Sequence, residues 1–264
     1  MVIPREHGAW GMLLVPLVTG AVVAARAGVN GLGLTLFVLA AMSLFWLRTP
    51  LESWLGTSPI KAQSEHERRV VLRTIVGISV LAIASVAALL WTGNRGLILI
   101  GAISALAFAI QAGVKKLGRK GRMPAQMIGA IGLTSTAAGA YYVATGRLDR
   151  TAIALWLANW FFAADQIQFV QLRIHSSRAN GFDEKLQQGL PFLLAQIALL
   201  GAILGVCRYG LLPMAAAIAF LPVLLRGTFW FARKRQPLDV HKLGFTELGH
   251  SLLFGALLST AFLL

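Results

Sequence analysis

The stretch ANWFFAADQIQFVQLR, residues 158–173, decides how the rest of the chain is read. It is apolar enough to lie in a membrane helix, yet it carries Asn159, Asp165, Gln166, Gln168, Gln171 and Arg173. A charged side chain at the centre of a membrane helix costs about 2.5–3.5 kcal/mol even on the lenient insertion scale. This helix is therefore expected to face other helices or a wet cavity rather than lipid. At about 100° per residue Asn159, Gln166 and Arg173 stack on one face, with Asp165 about 80° from Arg173 and two turns above it. Either that face lines a cavity or it hydrogen-bonds to neighbouring helices. Both readings require a bundle around it.

The remaining sequence supplies one. The 264 residues are 57% hydrophobic and 13% charged, with a mean hydropathy of +0.71, more apolar material than a single soluble core needs. Windows of about 20 residues, the length that crosses a hydrocarbon core, give nine candidate spans: 9–25, 30–47, 71–92, 96–114, 125–145, 151–172, 189–206, 210–230 and 247–264. The first could pass for a secretory leader, but Pro16 interrupts it and eight further spans follow. The expected fold is an all-α polytopic transmembrane bundle of about nine helices, a single integral domain over 1–264, in the cell membrane.

Net charge is +14, which in a soluble chain would suggest a nucleic acid partner. Its distribution points to a membrane instead. With nine spans, Arg26, Arg95, Arg147, Arg150 and Arg208 fall on one side and the other 19 of the 24 basic residues on the opposite side. The positive-inside rule then places the N-terminus in the cytoplasm. Basic loops of this kind also suit anionic headgroups, so membrane lipids, and no nucleic acid, are the expected partners. One cysteine, Cys207, allows no internal disulfide and reads as a small apolar filler.

Most acidic residues and all five histidines lie in or near the predicted cytoplasmic segments. In IPREHGAWGMLLVP (3–16) one Arg would anchor the helix, so Glu6 and His7 beside Arg5 are surplus to anchoring. Glu247 and His250, one turn apart at the start of the last span, suit a proton-transfer pair or half a metal site, while a capping role for Thr246 and Glu247 is comparable. FWLR (45–48), FVQLR (169–173) and LLR (224–226) each bring an Arg to an inward-running helix, where snorkelling to the interface is the simpler explanation. SEHERR (64–69) reads as a solvated segment. There is no nucleotide-binding glycine loop, zinc spacing or nucleophile elbow. Together Arg5, Glu6, His7, Arg48, Glu52, Asp165, Arg173, Glu247 and His250 could form a mixed lining that holds an anionic headgroup, directly or through a divalent ion.

PREHGAW (4–10) ahead of an apolar helix, LRTPL (47–51) and LGFTE (243–247) resemble the YwiC-like membrane proteins. More distantly, the nine-helix layout with loops after helices two and six is similar to the UbiA prenyltransferases, and KKLGRKGRMP (115–124) looks like a loop of that superfamily. That layout implies a central cavity in which two aspartate-rich motifs hold an isoprenyl diphosphate through magnesium. Here Glu52 alone follows Arg48, and QIQF (166–169) stands where further acids are expected. Two readings follow. In the first, a UbiA-like protein binds an isoprenoid or related lipid and transfers a prenyl group: Asp165, Glu52 and Glu247 hold a cation or polarise the acceptor. Arg5, Arg48 and Arg173 then neutralise phosphate, Glu6, Asn159 and Gln166 complete the lining, and His7 or His250 is the acid or base. In the second, the protein is a non-catalytic transporter or lipid-binding protein, with broken helices and polar groups at mid-bilayer. The ligand and the oligomeric state stay open in both.

Overall fold

The computed structural model describes residues 7–28, 30–54, 64–118, 121–177, 179, 181–232 and 238–264, with only the backbone of His7. Among these residues the chain forms ten α-helices and no strand. They are α1 His7–Ala24, α2 Gly31–Trp54, α3 Glu65–Trp91, α4 Gly96–Lys115, α5 Arg122–Thr134, α6 Thr136–Thr145, α7 Arg150–His175, α8 Phe182–Arg208, α9 Leu221–Ala232 and α10 Val240–Leu263. α5 and α6 meet end to end at Ser135, and a 3-10 segment, Met214–Phe220, runs directly into α9. The described residues thus make nine passages, at the places of the nine expected spans. The protein is a multi-pass membrane protein with an all-helical fold.

Seven passages are long and apolar enough to cross a bilayer by length and composition. α7 and α10 are not among them, although at 26 and 24 residues they reach about 39 and 36 Å. Their polar residues are accommodated by position. α7 buries Asn159, Asp165 and Gln166 among other helices, and α10 buries Glu247, Ser251 and Ser259. Conversely, α3 and α4 are hydrophobic nearly all round and expose Val76, Val80, Ile83, Ile98, Leu99 and Leu106, the pattern of helices facing hydrocarbon.

Local chemistry fixes the helix ends. Ser64 and Glu67 form a reciprocal capping box on α3, Asp149 accepts from the Thr151 and Ala152 amides at the start of α7, and Asp239 accepts from the Lys242 amide at the start of α10. Gly146 ends α6 in the left-handed conformation, at φ 71°. α1 returns toward the end at which α10 stops, where Arg26 donates to the Leu263 carbonyl. The opposite end, the basic end, gathers the starts of α1, α3, α5, α8 and α10.

α6 is the centre of the packing, with every residue from Thr136 to Ala144 buried. It can approach α1 so closely because Gly20 has no side chain: a Cβ there would lie 2.1 Å from the Ala137 carbonyl oxygen. Phe254 of α10 stacks on Phe162 at 4.2 Å between ring centres and meets Phe220 edge-on at 5.1 Å, tying α7, α10 and the 3-10 segment together. Polar pins reinforce this contact. Asn159 donates to Thr19 Oγ1 (3.2 Å) and to the Leu155 carbonyl (2.8 Å), and Gln166 donates to Ser251 Oγ (3.0 Å) and the Glu247 carbonyl (2.9 Å).

Gly20→Ala must push two backbones apart and is expected to cost about 1–3 kcal/mol, read as a lower melting temperature of the purified protein in detergent. Gly101→Ala, which meets nothing within 4 Å, is expected to leave that temperature unchanged or slightly raised.

Candidate functional site

α9, LPVLLRGTFWFA, buries Val223, Gly227, Trp230 and Phe231 and exposes Leu221, Leu225 and Phe229. Arg226 sits between these faces, its side chain only 8% exposed. Its guanidinium lies 4.0 Å from the centre of the Phe169 ring and forks between two carboxylates: Nη2 donates to Asp165 Oδ2 at 2.6 Å, and Nη1 donates to Glu247 Oε2. The second oxygen of Asp165 accepts from Gln196 Nε2 on α8. Four helices, α7, α8, α9 and α10, therefore close around one cation. Gly227 makes room for this, since a Cβ there would lie 3.0 Å from the Phe192 ring and 3.4 Å from Gln196 Oε1.

Two carboxylates on one guanidinium leave the cluster with an excess negative charge. Three of its buried polar atoms have no hydrogen-bond partner: Arg226 Nε, Gln196 Oε1 and Glu247 Oε1.

The buried side chains of Arg226 and Glu247 make an inner lining, the floor, of a cavity of about 690 Å³ at the basic end. His250 and Thr246 continue the floor along α10, Phe169, Trp230 and Leu243 make one wall, and Pro222, Leu225 and Phe229 make another that is mainly apolar. Arg173, Lys242, Ser176, Ser177 and Asp239 also line it. Lys185 is buried in the wall: its Nζ donates to the Trp230 carbonyl at 3.1 Å and lies 5.1 Å from the Trp230 ring centre. His250 turns one ring nitrogen back on its own helix, Nδ1 being 2.8 Å from the Thr246 carbonyl oxygen.

The sequence-derived candidates among the described residues separate into three groups. Arg173, Glu247 and His250 line the cavity, and Asp165 stands behind its floor, joined to it through Arg226. Asn159 and Gln166 lie deeper, beside a separate void of about 10 Å³ near Thr134 and Ser251, and their amides pin helices together. The expected continuous face of Asn159, Gln166 and Arg173 is thus divided between packing and lining. Arg48 and Glu52 pair with each other at 3.0 Å on α2 and do not line the cavity. Arg5, Glu6 and the His7 side chain lie outside the described residues.

Arg226 corrects the sequence reading most. Snorkelling was the expectation, but α9 continues for six residues beyond it, through Phe229, Trp230 and Phe231, so its side chain is held inside the span and bonds inward. That apolar continuation is the signal that identifies it. Lys185, at the polar start of α8, carries no comparable signal.

The set does not fit a carboxylate-held magnesium. Both Asp165 oxygens and one Glu247 oxygen already accept hydrogen bonds, the guanidinium supplies the positive charge between them, and Glu52 belongs to α2. Among the described residues no group of three His, Cys, Asp or Glu side chains could hold a metal ion.

Arg226→Ala strands two buried carboxylates and is expected to cost about 3–5 kcal/mol, visible as a large drop in melting temperature. Arg69→Ala removes a pair whose side chains are 70% and 94% exposed and is expected to leave the melting temperature where it was.

In comparisons with known proteins, a family model described as YwiC-like protein matches residues 3–141, which hold PREHGAW and LRTPL and run from α1 into α6. The cluster on α7–α10 follows the matched segment. Comparison with curated proteins and with solved structures gives no match.

Proposed function

The chain belongs to the YwiC-like protein family, and we propose that it takes the phosphorylated headgroup of a membrane lipid, an isoprenoid phosphate or a phospholipid, into the basic-end cavity. By the charge bias of its loops this end faces the cytoplasm, so the lipid enters from the inner leaflet. The observation that carries the reading is the gradation within one cavity. Arg173 and Lys242 supply cations for phosphate, and Pro222, Leu225 and Phe229 supply an apolar wall for the chain. Leu225 and Phe229 are also exposed on the outside of α9, so this wall continues onto the lipid-facing surface. The distant UbiA layout implies prenyl transfer with magnesium. Because Arg226 already occupies the carboxylates, we propose headgroup binding here without assigning a transfer step.

Translocation of the lipid is a second reading, favoured by the broken α5–α6 passage. At this joint Ser104 and Ser135 share a hydrogen bond at 3.0 Å and Thr136 donates to the Leu13 carbonyl. Below the cavity, Gln166, Ser251 and Asn159 extend a polar column toward Thr134.

Native mass spectrometry of the detergent-purified protein with dioleoyl phosphatidic acid and dioleoylglycerol tests the first reading. Phosphatidic acid is expected to bind and dioleoylglycerol not, with Arg173→Ala/Lys242→Ala weakening phosphatidic acid binding about tenfold; equal binding of both lipids would overturn it. In vesicles, movement of a fluorescent phospholipid between leaflets above the protein-free rate supports translocation, and the protein-free rate excludes it. For orientation, Ser64→Cys in a Cys207→Ser background is expected to react with an impermeant maleimide only after the cells are permeabilised.

A further inference from the structure

We infer that the headgroup taken into this cavity carries a primary ammonium beside its phosphate, and that Glu247 receives it. The inference rests on the headgroup reading above and narrows its ligand.

The charges of the buried cluster do not balance, one guanidinium standing against two carboxylates. Arg226 serves both Asp165 and Glu247, and Asp165 has its other oxygen occupied by Gln196. What remains is Glu247 Oε1, which has no partner, on a residue 5% exposed that lines the cavity. Among the described residues Arg226 is the only cation paired with Glu247. Lys185 directs its ammonium at the Trp230 carbonyl.

A bare carboxylate oxygen at low dielectric strongly favours a charged donor and disfavours another anion. A headgroup that is anionic throughout, such as a diphosphate, would set negative charge against Glu247. A zwitterionic one places phosphate among Arg173 and Lys242 and its ammonium on the floor. Thr246 adds a second acceptor there: its hydroxyl proton goes to the Lys242 carbonyl at 2.8 Å, which leaves oxygen lone pairs for a donor. Two acceptors ask for more than one N–H, which a primary ammonium has and a trimethylammonium lacks.

The test uses the full chain in detergent, with native mass spectrometry of dioleoyl phosphatidylethanolamine, dioleoyl phosphatidylcholine and dioleoyl phosphatidic acid. The wild-type protein is expected to favour phosphatidylethanolamine about tenfold over each of the others. Glu247→Gln is expected to bring the three within about twofold, without weakening phosphatidic acid. Phosphatidic acid or phosphatidylcholine binding as well as phosphatidylethanolamine overturns the inference, and this wild-type ranking decides the matter even if the variant fails to fold. If Arg173→Ala/Lys242→Ala binds all three as the wild type does, the headgroup reading itself fails. If that variant loses all three while Glu247→Gln keeps the wild-type order, only the ammonium assignment falls.

Discussion

A charge inside a membrane protein must be matched where it stands, because neither lipid nor packed helix can solvate it. Arg226 meets this constraint by drawing Asp165 of α7 and Glu247 of α10 to a single guanidinium, with Gln196 of α8 completing Asp165. The arrangement of the last four passages follows. α7, the most polar of the long helices, cannot face hydrocarbon and becomes an interior element. α9 must turn one polar residue inward while Leu221, Leu225 and Phe229 remain outside. α10 must place the turn that carries Glu247 over α7, where Gln166 and Ser251 both donate to the Glu247 backbone carbonyl.

The first six helices obey a different rule. Their interior is built from small residues and hydroxyls, so backbones approach closely and dispersion forces hold them, as expected where there is no hydrophobic drive between helices in lipid. Gly20 against Ala137 and Gly139 against Phe37 are among the tightest points. Thr134, Ser135 and Thr136 at the α5–α6 joint return their hydroxyl protons to nearby carbonyls, so the break leaves few polar groups open. The family match falls on this small-residue half, and the charged cavity on the other.

How much of this could be read in advance depended on the range of the interaction. The nine passages were legible because crossing a bilayer is a property of about 20 consecutive residues. The gathering of charge at one end was legible because loops alternate sides. That Asp165 needs a partner was legible from the insertion cost alone. Which partner it takes was not: Arg173 lies on the same helix, but Arg226, 61 residues away, is brought closer by packing. Likewise Glu247 and His250 share a helix face, yet only the first bonds to the buried cation, since His250 is turned toward Thr246. Arg48 and Glu52 satisfied each other locally, which periodicity permits but cannot choose.

The 3-10 segment before α9 has a consequence for depth. Seven residues at about 2.0 Å each followed by twelve at about 1.5 Å reach about 32 Å, some 3.5 Å more than the same nineteen in α-helix. Tighter winding thus lets a passage of 19 residues match a hydrocarbon layer about 30 Å thick. The guanidine-bearing turn lies roughly 9 Å inward of Ala232, a distance set within α9 by the α-helical rise. Thickness matching thus falls to the 3-10 segment, and the depth of that turn to the α-helix that follows it.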